Sequence, residues 1–250
     1  LTVDSNLEDK CGVRLNRYLA MCGLGSRRKV EYLITDGKVK IDGLTVSDLS
    51  SRVDGSNIVT VNGEAVVRER NIYLVMNKPL GVVCAVRDRY YDTVSDLLPD
   101  KYKNKHVFPV GRLDRMTSGI LILTNDGDLT QRIIHPSSSI SKTYEVMLTR
   151  EIRMADIEKW RKGLGIGGKY VKPLSVDVMK RIPKGQWIRI VLAEGVKREI
   201  RLMSRALGYR VKSLMRRKIG KMELVTLEKG HVMELNREKI LGLIQDGGRI

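Results

Sequence analysis

Residues Gly111-Arg112-Leu113-Asp114-Arg115-Met116-Thr117-Ser118-Gly119 place one carboxylate, two guanidinium groups and two hydroxyls between two glycines. Apolar stretches flank them on both sides. A carboxylate held ionised beside an arginine can serve as nucleophile or general base. A polar loop between buried strands is also where functional side chains gather. The same composition fits an ordinary polar turn with Asp114 bonded to backbone amides, and the residues alone leave both readings open. A second constellation is Arg198, Arg201 and Arg205, spaced i, i+3 and i+7 on a predicted helix over Lys197–Leu207. They form a stripe apart from the packing face of Ile200, Met203, Ala206 and Leu207. Such a stripe is either a solvated basic face or a set of donors aimed at phosphates or at a buried carboxylate.

The elements that must hold these groups read as follows. The apolar run Ile72–Met76 predicts a strand that ends at Asn77-Lys78-Pro79, and after Leu80-Gly81 a further strand is expected over Val82–Val86. Val107–Val110 and Ile120–Thr124 lead into and out of the Asp114 loop as strands, and Asp128 is expected to cap a short helix through Ile134. Thr143–Leu148 and Trp187–Leu192 are further strands, and Arg153–Lys162 is a helix carrying Trp160. Mixed strands and helices without regular alternation predict an α+β domain with a mixed, largely antiparallel sheet and flanking helices. Before it, Arg14–Cys22 predicts a short helix, and Ser26 caps a second with Val30, Leu33 and Ile34 inward. Gly37 closes that helix, and strands are expected at Lys38–Ile41 and Asn57–Val61. The predicted organisation is a small domain over residues 13–61, a polar linker over 62–71 and a larger domain over 72–245.

Lysine and arginine number 46 against 29 acidic residues, a net charge of +17. That excess is the footprint of a protein that meets a polyanion. Arg14, Arg17, Arg27, Arg28, Lys29, Lys38 and Lys40 concentrate on the polar faces of the small domain, as a surface tracking phosphates would. No apolar run reaches membrane-spanning length. Cys11, Cys22 and Cys84 are scattered and odd in number, and the three histidines are far apart. Neither a structural zinc site nor a disulfide framework is expected, which fits a reducing cytoplasm. Gly163–Gly168 fits a GxGxxG pattern but follows a predicted helix rather than a strand, so the dinucleotide-binding context fails. The chain opens on Leu1 rather than Met, so residues upstream of this numbering are expected.

Two resemblances add to this. Arg14-Leu15-Asn16-Arg17-Tyr18-Leu19-Ala20, Gly25-Ser26-Arg27-Arg28 and Asp36-Gly37-Lys38-Val39 resemble an S4 RNA-binding domain. The larger region resembles the pseudouridine synthases, in particular the RsuA-like branch that modifies ribosomal RNA. The matching segments are Gly111-Arg112-Leu113-Asp114, Thr117-Ser118-Gly119, Thr124-Asn125-Asp126-Gly127, His135-Pro136, Lys142-Thr143-Tyr144 and Glu194-Gly195 with Arg201. The helix departs from the family pattern at Glu199 and Leu202, where Gln and Arg are usual.

The resemblance implies that Asp114 is the essential aspartate, that Tyr144 stacks on a flipped base, and that Arg201 pairs with the aspartate. It implies Leu214 as the apolar residue beside the site and Arg112 as a helper near the nucleotide. Asn77, Lys78 and Arg198 join them as expected substrate-binding residues. The implied activity is isomerisation of a uridine in ribosomal RNA, with a lean towards the large subunit, and no cofactor or metal is expected. Implied partners are ribosomal RNA or pre-ribosomal particles; a monomer in the cytoplasm is expected, and the sequence points to no particular protein partner. The rival reading is a non-catalytic RNA-binding assembly factor, which the retention of Asp114, Tyr144 and Arg201 together disfavours.

Overall fold

The computed structural model describes residues 12–183, 185–193, 195–245 and 247–250. Cys11 and Glu194, both named above, lie outside them. The chain divides into two compact units. One comprises the described residues through Asn71 with Asn104–His106, and the other Ile72–Lys103 with Val107–Ile250.

In the small unit, helices Leu15–Met21 and Arg27–Thr35 precede a four-stranded antiparallel sheet. Its strands run in the order Leu44–Val46, Val39–Ile41, Val59–Val61 and Glu64–Ala65. The Ser26 hydroxyl accepts from the Lys29 amide at 3.3 Å, as an N-cap does. Leu15, Leu19, Val30, Ile34, Val39, Val53, Val59 and Val61 form the core. Residues 62–71 are not a plain linker, because Asn62 and Gly63 adopt φ of 53° and 88° and fold Glu64–Ala65 back onto Val59–Val61. An Asn-Gly pair with positive φ at both positions is the tight hairpin turn.

The large unit is built on one long sheet. Its strands run in the order Ser175–Ile182, Gly185–Leu192, Lys142–Leu148, Val211–Ile219, Ser118–Thr124, Tyr73–Lys78 and Val232–Leu235. Along this path every pairing is antiparallel except one: Val211–Ile219 runs parallel to Ser118–Thr124, joined only at Met215–Ser118 and Arg216–Gly119. Two antiparallel halves therefore meet at a short parallel seam. Ser118–Thr124 is buried along its whole length. Ile120 and Ile122 enter one core with Tyr73 and Val75, while Leu121 and Leu123 enter another with Leu74 and Met76. A strand covered on both faces has no polar alternation, which is why it reads as a continuous apolar run.

Several expectations shift. The stretch Val82–Val86 forms no strand and touches the sheet pattern only through a bridge from Val83 to Thr93. Asp126, not Asp128, caps the helix Gly127–Ile134, accepting from the amides of Asp128 and Leu129 at 2.9 Å each. The helix expected from Lys197 begins only at Glu199, because Arg198 adopts a left-handed φ of 57°. The predicted arginine stripe thus keeps Arg201 and Arg205 but not Arg198, and Ala206 is exposed rather than packed. Gly167 and Gly168 turn a small hairpin between Leu164–Ile166 and Lys169–Val171, which removes any nucleotide-loop reading of that stretch.

Candidate active site

Asp114 sits at the parallel seam, in the loop that enters the most buried strand of the sheet. The seam needs Gly119. Its φ is 114°, and a side-chain carbon there would run into the backbone carbonyl of Arg216. Only glycine lets the two strands approach.

Lys78 anchors the loop from below. Its side chain has no solvent access, and its Nζ donates to the carbonyls of Pro79 and Thr117 at 2.9 Å and of Arg115 at 3.4 Å. Burial lowers its pKa; Cys84 and the Asp114 charge oppose that, and the Arg216 charge adds to it. The Asp114 backbone carbonyl accepts from the Thr117 amide at 2.9 Å, closing the turn. From the other side, the Cys84 sulfur accepts from the Leu113 amide at 3.2 Å. Burial pushes the Cys84 thiol up, so it is a neutral acceptor, while the Leu113 amide and the charges of Lys78, Arg216 and Arg112 pull in the opposite direction.

On one sheet face, Tyr144 and Arg216 stand opposite each other in the ladder between Lys142–Leu148 and Val211–Ile219. Leu214, two residues before Arg216, is buried on the same face with Val146, Ile200 and Met203, and Tyr144 packs against that cluster. The helix Glu199–Ala206 therefore lies over this face. From it, Arg201 Nη2 donates to the Met116 carbonyl at 2.5 Å. Burial lowers the Arg201 pKa, the Asp114 charge opposes the shift, and Arg198 adds to it. Among the described residues no ion pair within 4.0 Å joins Asp114 to Arg201, so the expected pair is an interaction at longer range.

Arg216 was not among the expected site residues, yet it is central. It is buried, its Nε donates to the Ile120 carbonyl at 2.9 Å, and its Nη2 has no partner. Its charge acts on Lys78, Cys84 and Lys142. The Lys142 pKa is lowered by burial first and by Arg216 next, while Glu199 opposes. The Leu214-Met215-Arg216 segment held the signal, but nothing in the sequence distinguishes an inward arginine from the exposed ones around it.

Of the expected substrate-binding residues, Arg112 and Arg198 are exposed. Lys78 and Asn77 are buried and internally bonded: Lys78 supports the Asp114 loop, while the Asn77 Nδ2 donates to the Leu227 carbonyl at 2.7 Å, away from that loop. In the small unit, Arg14, Arg27, Arg28, Lys29, Lys38 and Lys40 are exposed, Arg17 is half-buried, and Lys38 pairs with Asp36 at 3.0 Å. The concavities of about 560 Å³ beside Arg150 and Arg181 and of about 630 Å³ beside Ile157 and Asp177 contain none of the Asp114 group. Among the described residues no cluster of acidic, histidine or cysteine side chains could hold a metal.

The partly exposed Asp114 carboxylate thus acts electrostatically on Lys78 and Arg201, two cations that also hold its loop.

Comparison with known proteins finds relatives along nearly the whole chain. A family profile described as RNA pseudouridylate synthase matches residues 72–206, and the S4 domain profile matches residues 13–59. A Bacillus subtilis protein named as an uncharacterized RNA pseudouridine synthase is 38% identical over 91% of this chain and 97% of its own length. Ribosomal large subunit pseudouridine synthase B of the same organism is 34% identical over 94% of this chain and 98% of its own. A crystal structure of a pseudouridylate synthase superposes with a TM-score of 0.65 at 27% identity, covering 92% of this chain and 99% of that one. With this profile match, and with relatives above 30% identity along nearly the whole chain, the protein belongs to the RNA pseudouridylate synthase family, with an S4 domain before the synthase domain.

Proposed function

We propose that the chain isomerises a specific uridine of ribosomal RNA to pseudouridine, with Asp114 as the catalytic carboxylate and the large-subunit RNA as the target. The observation that carries this reading is the position of Asp114 on a loop pinned by Lys78, Cys84 and Arg201, the two cations among them feeling its charge. The reaction breaks the C1′–N1 bond, turns the uracil and joins C5 to C1′. The C5 proton leaves to solvent and N1 regains one, so nothing is oxidised and no atom is added. An ionised carboxylate suffices as nucleophile or base. The target base must leave its stack, at a cost of about a few kcal/mol. Stacking on Tyr144 offsets about 1–3 kcal/mol of it. Arg201 holds the loop through the Met116 carbonyl, Leu214 fills the floor of the site, and Arg112 and Arg198 reach the backbone of the RNA.

The basic faces of the S4 domain supply affinity and placement. Pre-ribosomal particles in the cytoplasm are the setting in which such a site meets its uridine, and the chain acts as a monomer. Target identity is supported by the likeness to a relative named for the large ribosomal subunit. The test is incubation of the chain with large- and small-subunit RNA, free and in particles, followed by carbodiimide modification and reverse transcription. One new stop in large-subunit RNA is expected. A stop confined to small-subunit or transfer RNA would overturn the target assignment. Unmodified RNA in every sample would favour the assembly-factor reading.

A further inference from the structure

Tyr90 and Tyr91 are adjacent, 78% and 49% exposed, and unused by the mechanism above. Large aromatic surfaces left in water are worth explaining when they cluster. These two are held rather than loose. The Asp88 carboxylate accepts from the amides of Tyr90 and Tyr91 at 2.9 and 3.0 Å, so its charge is turned onto its own loop. The loop is closed at its base by Val83, whose amide donates to the Asp92 carbonyl and whose carbonyl accepts from Val94, each at 2.9 Å. Asp96 then accepts from the Thr93 amide and hydroxyl at 2.7 and 2.8 Å.

Each ring carries a guanidinium over one face. Arg89 lies 5.6 Å from the Tyr90 centroid, and Arg115 lies 4.3 Å from that of Tyr91. Arg115 is the residue after Asp114. Its carbonyl accepts from the Gly81 amide at 2.9 Å and from the buried Lys78. The Tyr91 ring is therefore tied to the Asp114 loop through Arg115, whose carbonyl is itself held by Gly81 and Lys78, and a flat ring covered on one side keeps its other face for a second flat group.

Resting on the pseudouridine synthase reading, we propose that Tyr90 and Tyr91 form a stacking platform for the unpaired RNA bases beside the target uridine, with Arg87, Arg89 and Arg115 against the neighbouring phosphates. Extruding one base strips its neighbours of a stacking partner. An aromatic face replaces that partner whatever the base, and a guanidinium behind it adds a cation–π contribution. The arrangement of arginine, tyrosine and a self-satisfied aspartate suits single-stranded nucleic acid better than an apolar protein surface.

The test uses the full chain and two probes: a short uridine-rich single-stranded RNA containing 2-aminopurine, and the same strand in a duplex. The variants are Tyr90→Leu with Tyr91→Leu, and Tyr90→Phe with Tyr91→Phe. The native chain and the double Phe variant are expected to bind the single strand equally and to quench the 2-aminopurine. The double Leu variant is expected to bind it at least about tenfold more weakly, without quenching, and to bind duplex unchanged. Native-like affinity and quenching in the double Leu variant would overturn the platform, as would a double Phe variant as weak as the Leu one. Both readouts are binding signals, so they decide the platform whether or not the chain isomerises uridine. Tritium release by the native chain, combined with native-like binding by the double Leu variant, would overturn the platform and leave the isomerase standing.

Discussion

Lys78 is a charged side chain with no solvent access, stabilised by three backbone carbonyls of the segments it joins. Replacing it by Met would remove that donor from all three; the Arg115 carbonyl keeps its bond from Gly81, so the loss expected is about 1–3 kcal/mol for each buried carbonyl left unpaired. We expect Lys78→Met to lose both stability in urea denaturation and most of kcat, because the loop that aims Asp114 loosens. Full kcat in a destabilised variant would show that Lys78 is a fold residue only. The pattern Asn77-Lys78-Pro79 was visible in the sequence, but polarity next to a strand end reads as exposure. Only the carbonyls of Arg115 and Thr117, distant in sequence, turn it into an anchor. Motif order marks Asp114, Tyr144 and Leu214 as candidates; Arg216 and Cys84 carry no such mark, since Arg216 faces Tyr144 across a strand pair and Cys84 meets the amide of the distant Leu113.

At the scale of elements, the parallel seam decides where the site lies. Gly119→Ala puts a side-chain carbon at a positive φ and against the Arg216 carbonyl. A loss of about 1–3 kcal/mol from backbone strain is expected, with the clash added to it, read as a lower denaturation midpoint and reduced turnover. An unchanged midpoint would mean that the seam opens freely. The helix Met154–Lys162 offers a separate test. The buried Asp156 carboxylate accepts from Tyr209 and Arg153 at 2.8 Å each and from Lys159 at 3.1 Å. These bonds, the one from Tyr209 foremost, lower its pKa from 3.8 to about 2. Between those values the unfolded chain binds the extra proton, so stability rises with pH through the window. The Asp156 contribution is complete above about pH 4 and is lost as pH falls towards 2. The thermal advantage of the native chain over Asp156→Asn should therefore shrink over that interval and hold steady above it. Strands and helices with strong periodicity were legible here, including Thr143–Leu148 and Arg153–Lys162. The Val211–Ile219 strand was not, because its lysines and arginines mask the alternation. The start of the helix at Glu199 was equally hidden, since a left-handed Arg198 has no sequence signature.

For the whole molecule, the charge of +17 makes RNA binding steeply dependent on salt. Replacing Arg27, Arg28 and Lys29 by Ala removes three exposed cations at the start of one S4 helix. If all three meet phosphates, the slope of log K against log salt should fall by about 2–3 while kcat at saturating RNA stays unchanged. An unaltered slope would remove this surface from the RNA contact. The two-part organisation was readable because the small-domain motifs and the strand at Ile72 bracket a polar stretch. The Glu64–Ala65 strand was missed because two residues on a polar background carry no period.

The central claim is that Asp114 drives loss of the C5 proton from uridine. Its most direct test is tritium release from ribosomal RNA labelled at uridine C5, free and in particles, by the native chain and by Asp114→Asn at matched RNA occupancy. Release by the native chain, with none above background from the variant, is the expected result. Equal release by both proteins, or none from either with RNA bound, would contradict the account.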